Sequence, residues 1–544
     1  MATSILSIGQ SALAAAQVGI STTGHNIANA STPGYSRQIV IQGPALAQNF
    51  GFGFLGQGTE ISTIRRVYSE HLASQQQHAQ ANKSSLDSYY AQIRQINDLM
   101  ADPSAGVSPA LQDFFAAVQN LTSNPASMAA RQSMLSTAQS LASRVQGLDS
   151  RLAELERGVN TQVVAGVSVV NAYAEQIAAL NDAIGKAQRS TGQPPNDLLD
   201  QRDQLLLDLN KEIKATVVRQ GDDYNVFIGN GQPLVVGATA SKLVAATALD
   251  NPAKLEIGYV SQSGAVLYVG DSAIAGGRLG GLIQFRNEAL TDARNALGRV
   301  AIGLAETFNA QHQAGFDLAG VGGGNFFNAG APAVSSHASN TGTAVIDAVV
   351  SNAGALTTSD YRLRFDGANY SLTRLSDNSV SSFASLPQTV DGVLISLSGG
   401  AMAAGDSFLI RPTAAGAAGF SLAINDPAVI AAASAPGAVG DNGNVLALAA
   451  LQTAQTLANG TATYLGAFGQ MVSQVGNKTR ELEVVGTAAA RLLEQATGAV
   501  QSESGVNLDE EATNLLRYQQ AYQAAAKVMQ IAKEMFDTLM SISR

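Results

Sequence analysis

Apolar residues at the two ends of the chain recur at helical steps. Leu6, Gly9, Leu13, Ala16, Ile20, Thr23, Ile27 and Ala30 alternate spacings of three and four, the seam of a helix that lies along another helix. Asn29, Ala30, Ser31 and Thr32 then lead into Pro33 and Gly34, where the fixed φ and missing N–H of proline end the ladder and glycine tolerates a tight turn. At the far end Asn507 is placed to cap a helix whose first turn holds Asp509, Glu510 and Glu511. Glu510 completes an Asn-x-x-Glu capping box, and the three acids suit the positive end of the helix dipole. Ala512, Leu515, Tyr522, Ala526, Met529, Phe536 and Met540 follow as one heptad stripe, broken by Gln519 and Lys533. A lone helix of about 25 residues is marginal in water, so each end is expected to order against the other or against a neighbouring subunit. Leu6, Leu13, Ile20 and Ile27, with Leu515, Tyr522, Met529 and Phe536, form the expected assembly seam.

Between the ends the period changes twice. Residues 38–64 read as extended and glycine-rich, and residues 65–213 as strongly helical. Leu86, Tyr90, Ile93 and Met100 mark one helix ending near Pro103, and a shorter one over 111–121 ends near Pro125. From Leu141 to Ile184 apolar residues keep steps of three and four, with a stutter at Val163, predicting a rod of about 65 Å that Pro194 and Pro195 end. Asn196 then looks like the cap of a further helix. A two-residue period begins at Val217: a hairpin through Gly221, Asp222 and Asp223 to Ile228, then another from Leu255–Val260 to Val266–Val269. Helix returns from about Gly281 to Phe308. Residues 315–342, with glycines at 322–324, read as a loop region; beyond it Tyr361, Leu363 and Phe365, the Asp366-Gly367 turn, and Tyr370 and Leu372 give the clearest hairpin, with later strands at Ile395, Leu397, Phe408 and Ile410 and an Ala/Gly-rich close over 414–440. Residues 445–500 are helical again, with Tyr464, Phe468, Met471, Val475, Leu482, Val485, Ala489 and Leu492 on one stripe.

Helices near both ends and strands in the middle predict a mainly α, multi-domain α+β protein: a long antiparallel helical bundle formed by both chain ends, with β modules inserted. The expected division is residues 1–60 with 505–544 as a terminal coiled coil; 61–212 with 278–314 and 442–504 as a helical bundle; 213–277 as a small β insertion; and 315–441 as an outer β domain.

Composition narrows the chemistry. With 42 acidic and 32 basic residues there is no electrostatic footprint for nucleic acid, and cysteine is absent, which removes disulfides and thiolate chemistry. Charged residues make up 14% of the chain, yet before Glu60 the only Lys, Arg, Asp or Glu is Arg37. A segment so free of charge is unsuited to life as a solvated tail. No run approaches the roughly 20 apolar residues of a membrane span, so no membrane insertion is expected. The first 36 residues lack Lys and Arg, so no cleaved signal peptide is expected either; taken alone, those absences point to the cytoplasm. His71 and His78 share a helix face about 10 Å apart, too far for one metal ion. Gly51 to Gly56 matches a G-x-G-x-x-G pattern, but the β-favouring Thr59, Ile61 and Thr63 follow where a phosphate site needs a helix. No catalytic residues, cofactor or metal ligands are expected.

The run Asn26-Ile27-Ala28-Asn29-Ala30-Ser31-Thr32-Pro33-Gly34-Tyr35-Ser36-Arg37-Gln38 resembles the N-terminal signature of the bacterial flagellar axial proteins of rod, hook and hook-associated type. Residues 504–512, with Leu516-Arg517-Tyr518-Gln519-Gln520-Ala521-Tyr522, resemble the C-terminal signature of the hook-associated protein 1 family, the first of two hook-filament junction proteins. The resemblance implies a structural subunit that self-associates into a ring or tube and adapts a curved hook to a stiffer filament. It implies a family turn motif at Asn26, Asn29, Thr32, Pro33, Gly34, Tyr35 and Arg37. Its implied partners are hook protein on one side, hook-associated protein 3 on the other, and a cytosolic export chaperone on the C-terminal helix, where Tyr522, Met529 and Phe536 are the expected contacts. It further implies export in the unfolded state through the flagellum's own type III channel, without a cleaved signal peptide, to an extracellular site, and no enzymatic activity. The alternatives are another axial protein or an adhesive module. Flagellins lack the Thr-Pro-Gly-Tyr turn, and hook and rod proteins lack the long helical region after it; the adhesive reading places binding in the middle β domain.

Overall fold

The computed structural model describes residues 2–49, 51, 53–100, 106–221, 223–261 and 263–542. Pro103, Asp222 and Phe52, expected at a helix end, a hairpin turn and the glycine pattern, lie outside them. Ten helices organise the described residues: α1 (Ala2–Ala28), α2 (Glu70–Met100), α3 (Val107–Ser123), α4 (Met128–Thr191), α5 (Asn196–Glu212), α6 (Gly277–Phe285), α7 (Thr291–Gln313), α8 (Gly443–Ala450), α9 (Tyr464–Ser504) and α10 (Leu508–Ile542). The fold is mainly α with inserted β modules, as the periodicity predicts.

The spine is α4, a single helix of 64 residues. Leu141, Val145, Leu152, Val159, Val163, Val170 and Ile177 are buried along it, the line of steps of three and four seen in the sequence. Ser127 caps its start, accepting the Ala130 amide, and Gly192, left-handed at φ 67°, ends it ahead of the two prolines. Asn196 begins α5, but Pro195 holds the cap position; the Asn196 amide instead reaches across to Ile64 O at 2.9 Å. By length and mean hydropathy both α4 and residues 5–28 could cross a bilayer, contrary to the sequence expectation. In the fold, α4 is the core helix of the bundle and α1 packs along α10.

Around α4 the bundle closes with α2 packed on α9 and α6, and α3 on α4. An aromatic cluster fills one end: Phe114 and Phe115 of α3, Phe308 of α7, Tyr464 of α9, Phe326 and Phe327 from the segment read as loop in the sequence, and Phe420 from the Ala/Gly-rich one. On α9 the expected stripe splits. Tyr464, Phe468, Met471, Val475, Leu482 and Ala489 are buried, while Val485 and Leu492 face outward because α2 covers only one line of the helix.

Both β modules attach to the bundle by side chains. Residues 215–240 form a four-stranded antiparallel meander and residues 243–268 a three-stranded sheet. Asn181 of α4 holds the first by donating to Tyr224 O and Gly237 O at 2.9 and 2.7 Å, while Arg202 of α5 stacks 3.5 Å over the Tyr224 ring. The outer module pairs a five-stranded sheet, order 333–336, 407–411, 361–365, 370–374, 380–383, with a three-stranded one, order 345–350, 393–399, 388–390. The expected Tyr361–Leu372 hairpin is present with Tyr370 opposite Phe365. Leu363, Leu372, Ile395, Phe408 and Ile410 fill its interior, which Ile302 of α7 joins from the bundle side.

Candidate assembly surface and its anchor

The chain ends meet as an antiparallel helix pair. Close contacts set the register: a Cβ on Gly9 would lie 3.0 Å from the Met529 side chain, one on Gly19 would lie 2.5 Å from the Tyr518 ring, and Asn26 bonds Glu511 at 3.1 Å. The face of α1 that touches α10 is therefore its line of small residues. Gly9, Ala15, Ala16, Gly19, Thr22, Thr23 and Asn26 are buried, while Leu6, Leu13, Ile20 and Ile27 are half-buried beside them. On α10 the buried positions are Glu511, Ala525 and Ala532, with Leu515, Tyr518 and Met529 half-buried. The contact line thus sits about one residue round from the heptad stripe expected from hydrophobicity. Small residues let two backbones approach, and the largest apolar side chains are left at the flank.

Among the described residues that flank stays exposed. Tyr522, Val528, Ile531, Met535, Phe536, Leu539 and Ile542 are all exposed on α10, Phe536 by 42% and Ile542 by 77%. Of the expected seam, Met529 meets Gly9 of α1 and Leu515 is half-buried, whereas Tyr522 and Phe536 are about two-fifths exposed.

A polar knot anchors this pair to the bundle. Asn26, buried in the last turns of α1, satisfies its amide completely: Oδ1 accepts the Tyr35 hydroxyl at 2.7 Å and the Gln38 amide at 2.9 Å, and Nδ2 donates to Gln38 O at 2.9 Å and to Glu511 Oε2 at 3.1 Å. Burial, then the carboxylates of Asp197, Asp200 and Glu511, push the Tyr35 phenol well above its ordinary value, which keeps it a donor. Asn29 sits in the final turn, donating to His25 O and accepting the Thr32 hydroxyl. Gly34 takes φ 79°, a left-handed conformation that favours glycine, and packs closely against Gln204. Thr32 and Pro33 are exposed in the turn. Arg37 bridges the break between α9 and α10: its amide donates to Ser504 O at 2.8 Å and its guanidinium pairs with Glu510 at 2.7 Å. Glu510, expected to close a capping box, faces Arg37, and Asn507 caps α10 by accepting the Asp509 and Glu510 amides.

The bundle side of the knot comes from α5. Asp200 accepts the Ser36 amide at 2.9 Å, Asp197 accepts from Gln38 Nε2 at 2.8 Å, and the buried Arg66 pairs with Asp200 and Asp203 at 2.8 and 2.6 Å. Burial pushes both carboxyls above their usual range against the pull of Arg66. The motif thus gathers Asn26, Tyr35 and Arg37 into one network with residues far along the chain. Sequence reasoning missed Arg66, Asp197, Asp200 and Asp203. Their only signal was three acids on successive turns of an otherwise ordinary helix. Among the described residues no three of His, Cys, Asp and Glu come together as a metal-ligand group.

The termini that build this surface match family models for the "Flagella basal body rod protein", over residues 6–35, and the "Flagellar basal body rod FlgEFG protein C-terminal", over 496–542. Paired ends of this kind, tied by the turn motif to a helical bundle, define a flagellar axial protein. Residues 93–327 match the "Flagellar hook-associated protein FlgK helical domain" and 335–412 the "Flagellar hook-associated protein 1, D2-like domain". The flagellar hook-associated protein 1 of Escherichia coli K12 is 35% identical over 99% of this chain and 100% of its own length; that of Salmonella typhimurium LT2 is 36% identical over the same shares. The solved flagellar hook junction protein FlgK from Burkholderia pseudomallei superposes with a TM-score of 0.75 at 29% identity, covering 79% of this chain and 100% of that one. The chain belongs to the flagellar hook-associated protein 1 family, structural proteins of the junction between hook and filament.

Proposed function

We propose that the exposed flank of α10 is completed by neighbouring copies, so that paired α1 and α10 helices form the inner wall of a short ring or tube. The observation that carries this reading is that Val528, Ile531, Met535, Phe536, Leu539 and Ile542 stay exposed although α1 already occupies one face. Covering the exposed half of each such side chain contributes about 1 kcal/mol, so several together give an association of useful strength. The bundle supplies a stiff wall and the β modules the outer surface, with the domain boundaries expected from the sequence. Residues 315–331 and 413–433 serve mainly to seat the outer module, since Phe326, Phe327, Phe420 and Ile430 join the bundle core.

On this reading the subunit is a mechanical adaptor with no catalytic role. Hook protein and hook-associated protein 3 take its two axial faces, and the chain reaches its extracellular place through the flagellar type III channel without a cleaved signal. Before export the same flank needs a cover, which suits a cytosolic chaperone contacting Tyr522, Met529 and Phe536.

Phe536→Ser and Ile531→Ser test this, because both residues are exposed in the single chain. The purified variants are expected to melt within about 0.5 kcal/mol of the parent, yet to lose incorporation into flagella and chaperone binding together. Incorporation at parental levels would overturn the assembly reading, and loss of assembly with full chaperone binding would overturn the shared face.

A further inference from the structure

At the other end of the bundle, two buried side chains hold the segment by which the chain returns from the outer sandwich. Arg131, in the first turn of α4, donates through Nε to Pro125 O at 2.7 Å and through a terminal nitrogen to Ile430 O at 2.6 Å. His312, near the end of α7, has no exposed surface and sits between two backbone groups. Its Nδ1 lies 2.8 Å from Gly324 O, and its Nε2 lies 2.9 Å from the Ala431 nitrogen. A carbonyl can only accept and an amide N–H can only donate, so this geometry fixes a neutral ring with its proton on Nδ1. The charged groups facing the ring are Arg131 from α4 and Asp317 from the loop after α7. The neutral Phe326 ring packs edge-on at 5.4 Å, and Asn444 of α8 holds Ala431 O at 2.7 Å.

We propose that His312 is an acid-sensitive clasp: on taking up a proton at Nε2 it gives up the Ala431 amide and frees residues 427–433, loosening the mount of the outer β sandwich on the bundle. The protonated ring has only donors, so an N–H would face an N–H, and a second buried cation would stand near Arg131. Burial and then Arg131 hold the His312 pKa below its ordinary value against the Gly324 carbonyl and Asp317. The sign follows. Above pH about 7.5 neither closed nor open form takes the proton, and the clasp is at full strength. As pH falls through the ordinary histidine range only the open form is protonated. The opening equilibrium then grows by up to about tenfold per pH unit, until the closed form titrates as well.

Amide exchange in the full chain between pH 7 and 5, corrected for the intrinsic rate and followed at Ala431, Ala433 and Val445, tests the clasp against His312→Gln, which keeps a donor and an acceptor but does not titrate. Taking the difference removes every other titration common to both proteins. The parent is expected to gain opening by about fivefold between pH 6.5 and 5.5, and the variant to stay flat. A flat parent, or an equal rise in the variant, overturns the proposal. Should the variant fail to fold, nitrogen chemical shifts of the parent histidines decide. Protonation of His312 coincident with lost protection at Ala431 supports the clasp; protonation with that amide still protected overturns it.

Discussion

Replacing Asn26 by alanine separates the knot from the helices it joins. The side chain makes four hydrogen bonds from a buried position, two through each amide atom. Truncation leaves the Gln38 amide and the Tyr35 hydroxyl without their acceptor and removes one donor from Glu511, which is itself buried. Orphaned buried groups cost about 1–3 kcal/mol each, so roughly 3–5 kcal/mol of local stability is lost once partial relaxation is allowed for. That converts to a rise in local opening of between about a hundredfold and several thousandfold. The informative probes are amides in the knot that do not themselves bond Asn26: Ser36, which donates to Asp200; Arg37, which donates to Ser504 O; and Val67, which donates to Arg37 O. Hydrogen exchange should show all three losing protection together while amides around Val163 and Val170 in the bundle keep theirs. Asn29→Ala, one turn on, should stay near the parent, because Asn29 bonds only within its own turn. If Ser36, Arg37 and Val67 exchange as in the parent, or if bundle and knot weaken equally, the network is not a joint and the reasoning fails.

Gly19→Ala should weaken the terminal pair although alanine favours helix by about 1 kcal/mol, because its methyl meets the Tyr518 ring; Gly24→Ala, with open space around it, should strengthen α1, and exchange at Leu13 reads both. Arg66→Met leaves Asp200 and Asp203 buried without their cation, for a loss of about 3–5 kcal/mol at pH 7 in urea titrations followed by circular dichroism. Since the orphaned carboxyls prefer to be neutral, that loss should shrink as pH falls from 7 to 5; a pH-independent loss would count against the assignment. Asp360 is pushed up to about 6 by burial, against the Asn295 amide that donates to it at 3.0 Å. Its folded value exceeds the unfolded one, so its charge costs stability above pH 6 and the cost fades as pH falls toward 4. Asp360→Asn should therefore raise stability by about 1–3 kcal/mol at pH 7 and by little at pH 4.5 in thermal melts; a variant less stable at both would refute this.

Long periodic segments were legible because burial imposes the period: α4 carries its steps of three and four from Leu141 to Ile184, and the Tyr361–Leu372 hairpin shows its alternation and its turn. The turn motif was legible as a resemblance, and Pro33 with Gly34 as a stop. What lay out of reach were pairings between distant positions. Nothing near Asn26 says that its partner is Glu511, nor that Asp200 and Asp203 on α5 close round Arg66. The seam of α10 was read from its largest apolar residues, but α1 offers glycine and alanine, so the closest approach goes to Ala525 and Ala532 and the large residues are displaced outward. Phe326 and Phe327 were read as loop because glycines precede them, while burial against Phe114 and Phe308 is a tertiary fact.

At 64 residues, α4 is about 96 Å of uninterrupted lever. Arg131 stands at one tip and the last turn before α5 and its acids at the other, so the sandwich mount and the terminal joint are fixed to the same rigid beam. A tilt of about one degree displaces the far tip by roughly 1.7 Å, half the span of a hydrogen bond. A load on the sandwich therefore reaches the joint of the chain ends along one continuous helix, with no loop between them to absorb it.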